Sequence, residues 1–373
     1  MTEVSIVMAD SEDSVKELVS ILENLPEGSF VSVDTEFTRE KTFFPVPALF
    51  QFCIRGKCYL ADPVKCDIKN VVRALVNTSA TVLIFSGSED YELIVRQARL
   101  SGLSRLLPKT CFDVQLMAAF AGLGFNIGLQ KMIASMLAVE LDKSETRSDW
   151  EQRPLTEAQK EYAAFDVYYL ESLYQYISNK LDEQHFSWFK SEMQLQLEQA
   201  CQVPDAKRAY MNADKSSKLN IASLTRLKFI AARRFEYALK NDVSLNRVIT
   251  NKALCAIAID CPLTSKGLAS CQMKWGAIRE HGAEVIEWVK EAIALPPDES
   301  IEYPLDYFLT KNSNHDRVRQ LKYFLNKKAL EHNIAPEFFT QKKILADYFS
   351  ARKYGRVARL KQGWRAEILS DLN

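Results

Sequence analysis

Three short stretches place carboxylates where chemistry could use them. Asp34-Thr35-Glu36 ends the β-rich run Phe30-Val31-Ser32-Val33-Asp34. Side chains at i and i+2 of a strand share a face, so Asp34 and Glu36 project together from the end of a buried strand. Two such charges are costly unless something neutralises them. A divalent cation that favours hard oxygen ligands, Mg²⁺ or Mn²⁺, is the natural partner. Ser88-Glu89-Asp90 follows the apolar run at residues 81–85. Tyr162-Ala163-Ala164-Phe165-Asp166 lies in a stretch of helical spacing, where i and i+4 share a face, so a phenol and a carboxylate stand side by side.

Taken singly, each stretch has an ordinary reading: a solvated strand end, an acidic first turn that suits the helix dipole, and an amphipathic helix rim. Taken together, four carboxylates and one tyrosine in this order are what two-metal phosphoryl transfer needs. Two cations activate a water and stabilise the leaving oxygen, and the tyrosine orients or deprotonates that water. The four histidines are His185, His281, His315 and His332, all outside the strand-rich core. That excludes a His-ligated zinc site or a Ser-His-Asp triad there. No GxxxxGK[ST] loop occurs, which argues against a P-loop ATPase.

The elements that must position these residues are legible in outline. Runs at 48–54 and 58–61 flank Arg55-Gly56-Lys57 and read as a hairpin. A helix is expected from about Glu89 to Leu100, and another from near Asp113. Thr156 is a good N-cap for one long helix running to about Leu181. Strands mixed with crossover helices predict an α/β domain with a mixed sheet. Beyond residue 195 strand signals nearly vanish. Residues 201–220 and Leu295-Pro296-Pro297-Asp298 read as linkers. Helical periodicity fills 221–293, with breaks at Asn241-Asp242, Cys261-Pro262 and His281-Gly282, and again 303–371, with a break at 333–336. The two helical blocks have the lengths of a diverged repeat.

As a set, Val33-Asp34-Thr35-Glu36-Phe37, Gly87-Ser88-Glu89-Asp90 and Tyr162-Ala163-Ala164-Phe165-Asp166 resemble the three exonuclease motifs of the DEDD superfamily, tyrosine branch. Thr42-Phe43-Phe44-Pro45, Leu49-Phe50-Gln51, the run from Leu141 to Trp150 and Arg153-Pro154-Leu155-Thr156 resemble the ribonuclease D family in particular. That resemblance implies a ribonuclease H-like exonuclease domain at residues 1–200 and 3′→5′ exoribonuclease activity. It also implies two Mg²⁺ or Mn²⁺ ions held by Asp34, Glu36, Asp90 and Asp166, with Tyr162 placing the attacking water. Phe37 and Trp150 are candidates to contact the terminal nucleotide, core packing being the alternative for each. Leu224, Leu227, Arg234, Ala238, Asn246, Val248-Ile249 and Ile278-Arg279-Glu280-His281-Gly282 resemble the HRDC domain, placed at 215–294. A second HRDC-like helical domain is placed at 298–373, where Gly363-Trp364-Arg365-Ala366-Glu367 also resembles the ribonuclease D C-terminus. Three positions depart from the patterns: Phe85 where His is frequent, Arg233 where Trp is frequent, and Ser244 where Pro is frequent.

Composition sharpens the functional class. The formal net charge is zero, yet residues 1–200 hold 19 basic and 29 acidic side chains, and residues 201–373 hold 29 and 19. A half with net charge +10 is suited to a polyanion. Lys327-Lys328, Lys342-Lys343 and Arg352-Lys353 are pairs that can track phosphates without reading sequence. The expected partner is RNA, such as tRNA precursors or other structured RNAs with single-stranded 3′ ends. A DNA exonuclease of the same superfamily and a non-catalytic nucleic-acid-binding module are the competing readings. No stretch of eighteen apolar residues and no signal-peptide pattern occurs, and the eight cysteines form no CxxC pair. These features predict a cytoplasmic protein with reduced thiols and no membrane partner. A monomer is expected.

Overall fold

The computed structural model describes residues 4–140, 148–310 and 314–372. Residues 141–147 of the ribonuclease D-like run therefore lie outside the described residues. The chain forms two compact units. One comprises residues 1–38, 45–202 and 333–335; the other comprises 39–44, 203–332 and 336–373.

The first unit is built on a six-stranded sheet of order β1-β4-β3-β2-β5-β6. Its strands are β1 (Ser5–Ala9), β2 (Phe30–Thr38), β3 (Val46–Ile54), β4 (Lys57–Ala61), β5 (Thr81–Ile84) and β6 (Cys111–Asp113). β2 pairs antiparallel with β3 and parallel with β5, and β1 joins parallel to β4 at the far edge. The mixed sheet matches expectation. β1 and the helix after it, α1 (Glu12–Glu23), extend the fold beyond the elements read from the sequence. The β3–β4 hairpin turns at Arg55 (φ 51°) and Gly56 (φ 78°). Two residues of positive φ match the right-handed twist of a hairpin, so Lys57 opens β4 and is not part of the turn.

The parallel pairing of β2 with β5 ends at Ser32↔Leu83. The part of β2 beyond Ser32, which carries Asp34 and Glu36, therefore runs past its parallel neighbour. There the chain leaves β5 for α3 (Ser88–Leu100) after α2 (Lys69–Asn77). The remaining helices of this unit are α4 (Val114–Phe120), α5 (Leu129–Leu137), α6 (Glu157–Tyr168), α7 (Leu170–Ser178) and α8 (Glu183–Ala200). The expected long helix after Thr156 is thus two helices, broken at Tyr169. The sheet underneath is the reason. α6 lies on β4, β3 and β2, whereas α7 lies on β2 and β5, and one straight helix does not follow a twisted sheet across four strands.

An ion pair fixes the loop before α6. The Arg153 guanidinium donates to both carboxylate oxygens of Asp62 (2.5 and 2.7 Å), to the carbonyl of Ala48 (2.7 Å) and to that of Trp150 (2.8 Å). Asp62 is fully buried. The loop also meets the helix start through Thr156 and Gln159, which cap one another, while the Gln159 amide donates to the Asp149 carbonyl (3.1 Å).

The second unit is helical throughout its described elements. Its principal helices are α9 (Ile221–Asn241), α10 (Leu245–Val248), α11 (Asn251–Asp260), α12 (Ser265–Ser270), α13 (Trp275–Ile293), α14 (Leu305–Thr310), α15 (His315–Glu331), α16 (Glu337–Thr340), α17 (Lys342–Tyr354) and α18 (Gly363–Ile368). Leu224, Leu227, Ile230, Leu254, Ile257, Leu268, Val285 and Val289 form its core. Buried Arg234 ties α9 to α10 and α11, donating to the Leu245 carbonyl (3.1 Å) and to the Asn251 side chain (2.8 Å). Arg233 pairs with Glu291 (2.9 Å).

Two expectations fail here. Residues 201–220 are not a free linker: Tyr210 and Ala213 are buried, and the Tyr210 hydroxyl donates to the Glu302 carbonyl (2.7 Å). Nor does the chain break at His281-Gly282, since α13 runs straight through it. Gly282 serves close packing, because a Cβ there would stand 3.2 Å from Ile278 and 3.7 Å from Leu268. No helix among the described residues is long and apolar enough to cross a membrane.

Removing one partner of a buried ion pair strands the other charge, at about 3–5 kcal/mol. Asp62→Ala is therefore expected to destabilise the first unit by that amount in urea denaturation; a loss below about 1 kcal/mol would show that the pair is not what fixes this loop.

Candidate active site

All three motifs meet at the carboxyl end of β2. Asp34 and Glu36 project from one face of the strand, and Asp166 comes to them from α6. Ligand oxygens of these three residues lie within 4.8 Å of one another. Asp90, in the first turn of α3, is buried and held separately. The Thr35 hydroxyl donates to its Oδ1 (2.5 Å). Period-two alternation sends Thr35 to the opposite side from Asp34 and Glu36. The Asp-Thr-Glu tripeptide thus supplies two carboxylates and clamps a third. Sequence reasoning passed over Thr35, although a hydroxyl between two acids in a buried strand needs a partner.

Asp113 is the second group the sequence reading missed. It is buried and caps α4, accepting from the backbone N–H groups of Gln115 (2.9 Å) and Leu116 (3.2 Å). It also accepts from Ser86 N (3.0 Å) and Gly87 N (3.1 Å). Asp113 thereby pins the turn between β5 and α3, and with it Asp90. Ser86 is left-handed there (φ 56°). A Cβ on Gly87 would come within 2.8 Å of Ile84 and 2.9 Å of Tyr91, so this turn has no room for a larger residue.

Tyr162 and Asp166 are one helical turn apart on α6, and the phenol hydrogen-bonds the Asp166 carboxylate. Trp150 is buried among Ala48, Leu49, Leu60, Leu155 and Ala163, with its ring centroid 6.0 Å from that of Tyr162. The indole is thus part of the core beneath the tyrosine, which is the packing alternative for that residue. Phe37 is half-buried and follows a bulge between Glu36 and Phe37.

The electrostatics are those of an uncompensated anionic cluster. Burial, then the charges of Asp90, Asp166 and Glu36, hold Asp34 well above the usual carboxylate range. Burial, with Asp166 and Asp90, pushes Glu36 up to about 8. Burial lifts Asp166 to about 7 against the hydrogen bond from Tyr162, and lifts Asp90 to about 6 against that from Thr35. An all-oxygen donor set of like charges suits a hard divalent cation, so these residues fit the metal that the motifs imply.

Comparison with known proteins gives this geometry a context. Residues 6–182 match the family model described as 3′-5′ exonuclease. The chain is 30% identical to ribonuclease D of Pseudomonas paraeruginosa over 350 residues, covering 92% of this chain and 90% of that protein. It is 27% identical to ribonuclease D of Escherichia coli over 377 residues, covering 98% and 96%. The crystal structure of Escherichia coli RNase D, described as an exoribonuclease involved in structured RNA processing, superposes with a TM-score of 0.84 at 25% identity, covering 98% of this chain and 97% of that one. The catalytic core of RRP6 from Trypanosoma brucei shares the fold at 18% identity, with a TM-score of 0.59 over 79% and 82%.

The raised carboxylates link stability to pH. In the unfolded chain such groups titrate near 4. Between there and the folded values of about 6 to 8, the folded metal-free protein binds more protons than the unfolded one. Stability therefore falls as pH rises through that window. In EDTA, Asp34→Asn is expected to melt with wild type near pH 4 and at least about 2 °C above it at pH 8. Parallel melting curves at both pH values would contradict mutual repulsion in the cluster. Gly87→Ala is expected to displace the turn that carries Asp90 and to lower nuclease activity by about tenfold or more, read in a 3′-end trimming assay; wild-type activity would mean the turn accommodates the methyl group.

Proposed function

The chain belongs to the ribonuclease D family and is a hydrolytic 3′→5′ exoribonuclease, and we propose that it trims RNA 3′ ends with two divalent cations, Mg²⁺ or Mn²⁺, held by Asp34, Glu36, Asp90 and Asp166. The observation that carries this reading is the convergence of Asp34, Glu36 and Asp166 oxygens within 4.8 Å, with Asp90 fixed beside them by Thr35. Bound there, the cations would supply positive charge at the scissile phosphate and acidify the attacking water.

The protein's own groups do the placing. Tyr162, packed against Trp150 and bonded to Asp166, presents its hydroxyl to orient the attacking water. Release of 5′-nucleoside monophosphates follows from attack at the terminal phosphodiester. Phe37, half-buried after Glu36, is the aromatic we assign to stacking on the terminal nucleotide, an interaction tolerant of base identity. Trp150 supports Tyr162 from below. One chain supplies the whole set, which supports action as a monomer. All eight cysteines are free thiols, in keeping with a cytoplasmic enzyme.

For the helical half we propose an HRDC domain at 215–294 and a second HRDC-like domain at 298–373, gripping structured RNA such as a tRNA precursor. A cavity of about 580 Å³ in this unit is lined by Arg247, Lys274 and Arg279 together with Glu280. Beside it stands Trp275, 58% exposed. Three cations and an exposed indole suit a phosphate backbone with a stacked base. The RNA partner follows that of the Escherichia coli relative, whose described role is structured RNA processing.

A 5′-labelled tRNA precursor with a short 3′ tail tests the reading. With Mg²⁺, wild type should give a ladder that shortens from the 3′ end. EDTA should abolish it. Asp166→Asn should slow it by more than the roughly 10–100-fold seen for groups one shell further out, and Tyr162→Phe by about a hundredfold. Intact RNA throughout, or faster degradation of a matching DNA strand, would overturn the assignment. Lys274→Glu with Arg279→Glu should weaken RNA binding and reduce the salt slope by about 0.7 for each phosphate that is no longer neutralised; an unchanged slope would place the grip elsewhere.

A further inference from the structure

Gln51 is fully buried in the middle of β3, and neither its Nε2 nor its Oε1 has a hydrogen-bond partner. Buried side-chain amides are nearly always paired, because a desolvated donor or acceptor left alone has given up its bonds to water without replacement. A leucine would fill such a place at no polar cost.

The strand register identifies the partner. Gln51 stands directly opposite Asp34 in the antiparallel β2–β3 pair, and opposite Leu60 on its other flank. Directly opposed residues share a face, with Cβ atoms about 4.5–5.5 Å apart. On the same face of β3, Leu49 packs with Ala163, and Cys53 packs with Ala164 and Val167. Gln51 between them therefore lies beneath α6, the helix that carries Tyr162 and Asp166. Of the two residues directly opposite it, one is apolar and the other is a carboxylate of the cluster.

We propose that Gln51 is a positioning residue for the cation site, its Nε2–H donating to the Asp34 carboxylate when the cluster holds divalent ions. One lone pair of Asp34 is then held from behind and the remaining ones face the ion. Outer-shell donors of this kind orient a ligand and raise the affinity of its site. The inference rests on the reading of Asp34, Glu36, Asp90 and Asp166 as a cation site.

The test is Mn²⁺ binding to the full chain without RNA, read by electron paramagnetic resonance of free Mn²⁺, for wild type, Gln51→Met, Gln51→Leu and Asp166→Asn. Melting temperatures in EDTA accompany it. Gln51→Met and Gln51→Leu should bind Mn²⁺ about 10–100-fold more weakly. Their metal-free melting temperatures should equal or exceed that of wild type, since an unpaired amide has been replaced by an apolar group. The Mg²⁺ concentration for half-maximal trimming should rise by the same factor, with the RNA KM at saturating Mg²⁺ unchanged. Mn²⁺ affinity within twofold of wild type in both variants, with affinity lost in Asp166→Asn, would overturn the role of Gln51 alone. Equal, weak binding by wild type and Asp166→Asn would instead remove the cation site on which the inference rests.

Discussion

Repulsion among carboxylates held out of water is the constraint on which the rest of this structure depends. Asp34, Glu36 and Asp166 crowd within 4.8 Å, and burial and mutual charge push them toward the neutral form. A protein that keeps such a cluster must hold it together against its own electrostatics until a cation arrives. The scaffold does this with short, buried polar contacts. Thr35 fixes Asp90, and Asp113 fixes the turn beneath it. The Arg153–Asp62 pair fixes the loop that leads into α6. Each contact draws on a different strand or helix, so the positions of the carboxylates are set by the sheet as a whole.

The topology makes room for this. β2 is central, pairing with β5 over residues 30–32 and with β3 from Ser32 to Thr38, so its direction is fixed. Its residues beyond Ser32 run past β5. Thr35 in that stretch bonds Asp90 in the first turn of α3, while α6 crosses β4, β3 and β2 to bring Asp166 beside Asp34 and Glu36. A break at Tyr169 then frees α7 to follow the sheet in a new direction. The acidic unit thus concentrates negative charge where cations would neutralise it, and the basic unit carries the surplus positive charge that an RNA backbone would meet.

How much of this the sequence disclosed depended on the range of the interaction involved. Asp34 and Glu36 were legible because strand alternation is local, and Tyr162 with Asp166 because helical spacing is local. The Thr156 cap and the mixed sheet were legible for the same reason. Features set by contacts distant in the chain were not. Trp150 could be read either as a nucleotide contact or as core, and only packing against β3, β4 and Tyr162 reveals its burial. Gly282 appeared as a helix break and is a close-packing position inside α13. Tyr210 sits in a polar stretch that its composition made a linker, yet a single aromatic anchors it. Asp113 was visible as a helix start, but its second duty toward Ser86 and Gly87 crosses 26 residues or more.

We propose that the four carboxylates form a site for two divalent cations. Anomalous diffraction from crystals soaked in Mn²⁺ tests it directly. Two peaks are expected, enclosed by Asp34, Glu36, Asp90 and Asp166 and about 3.5–4 Å apart. Crystals that take up Mn²⁺ only at other positions, leaving these four side chains without a peak, would contradict it.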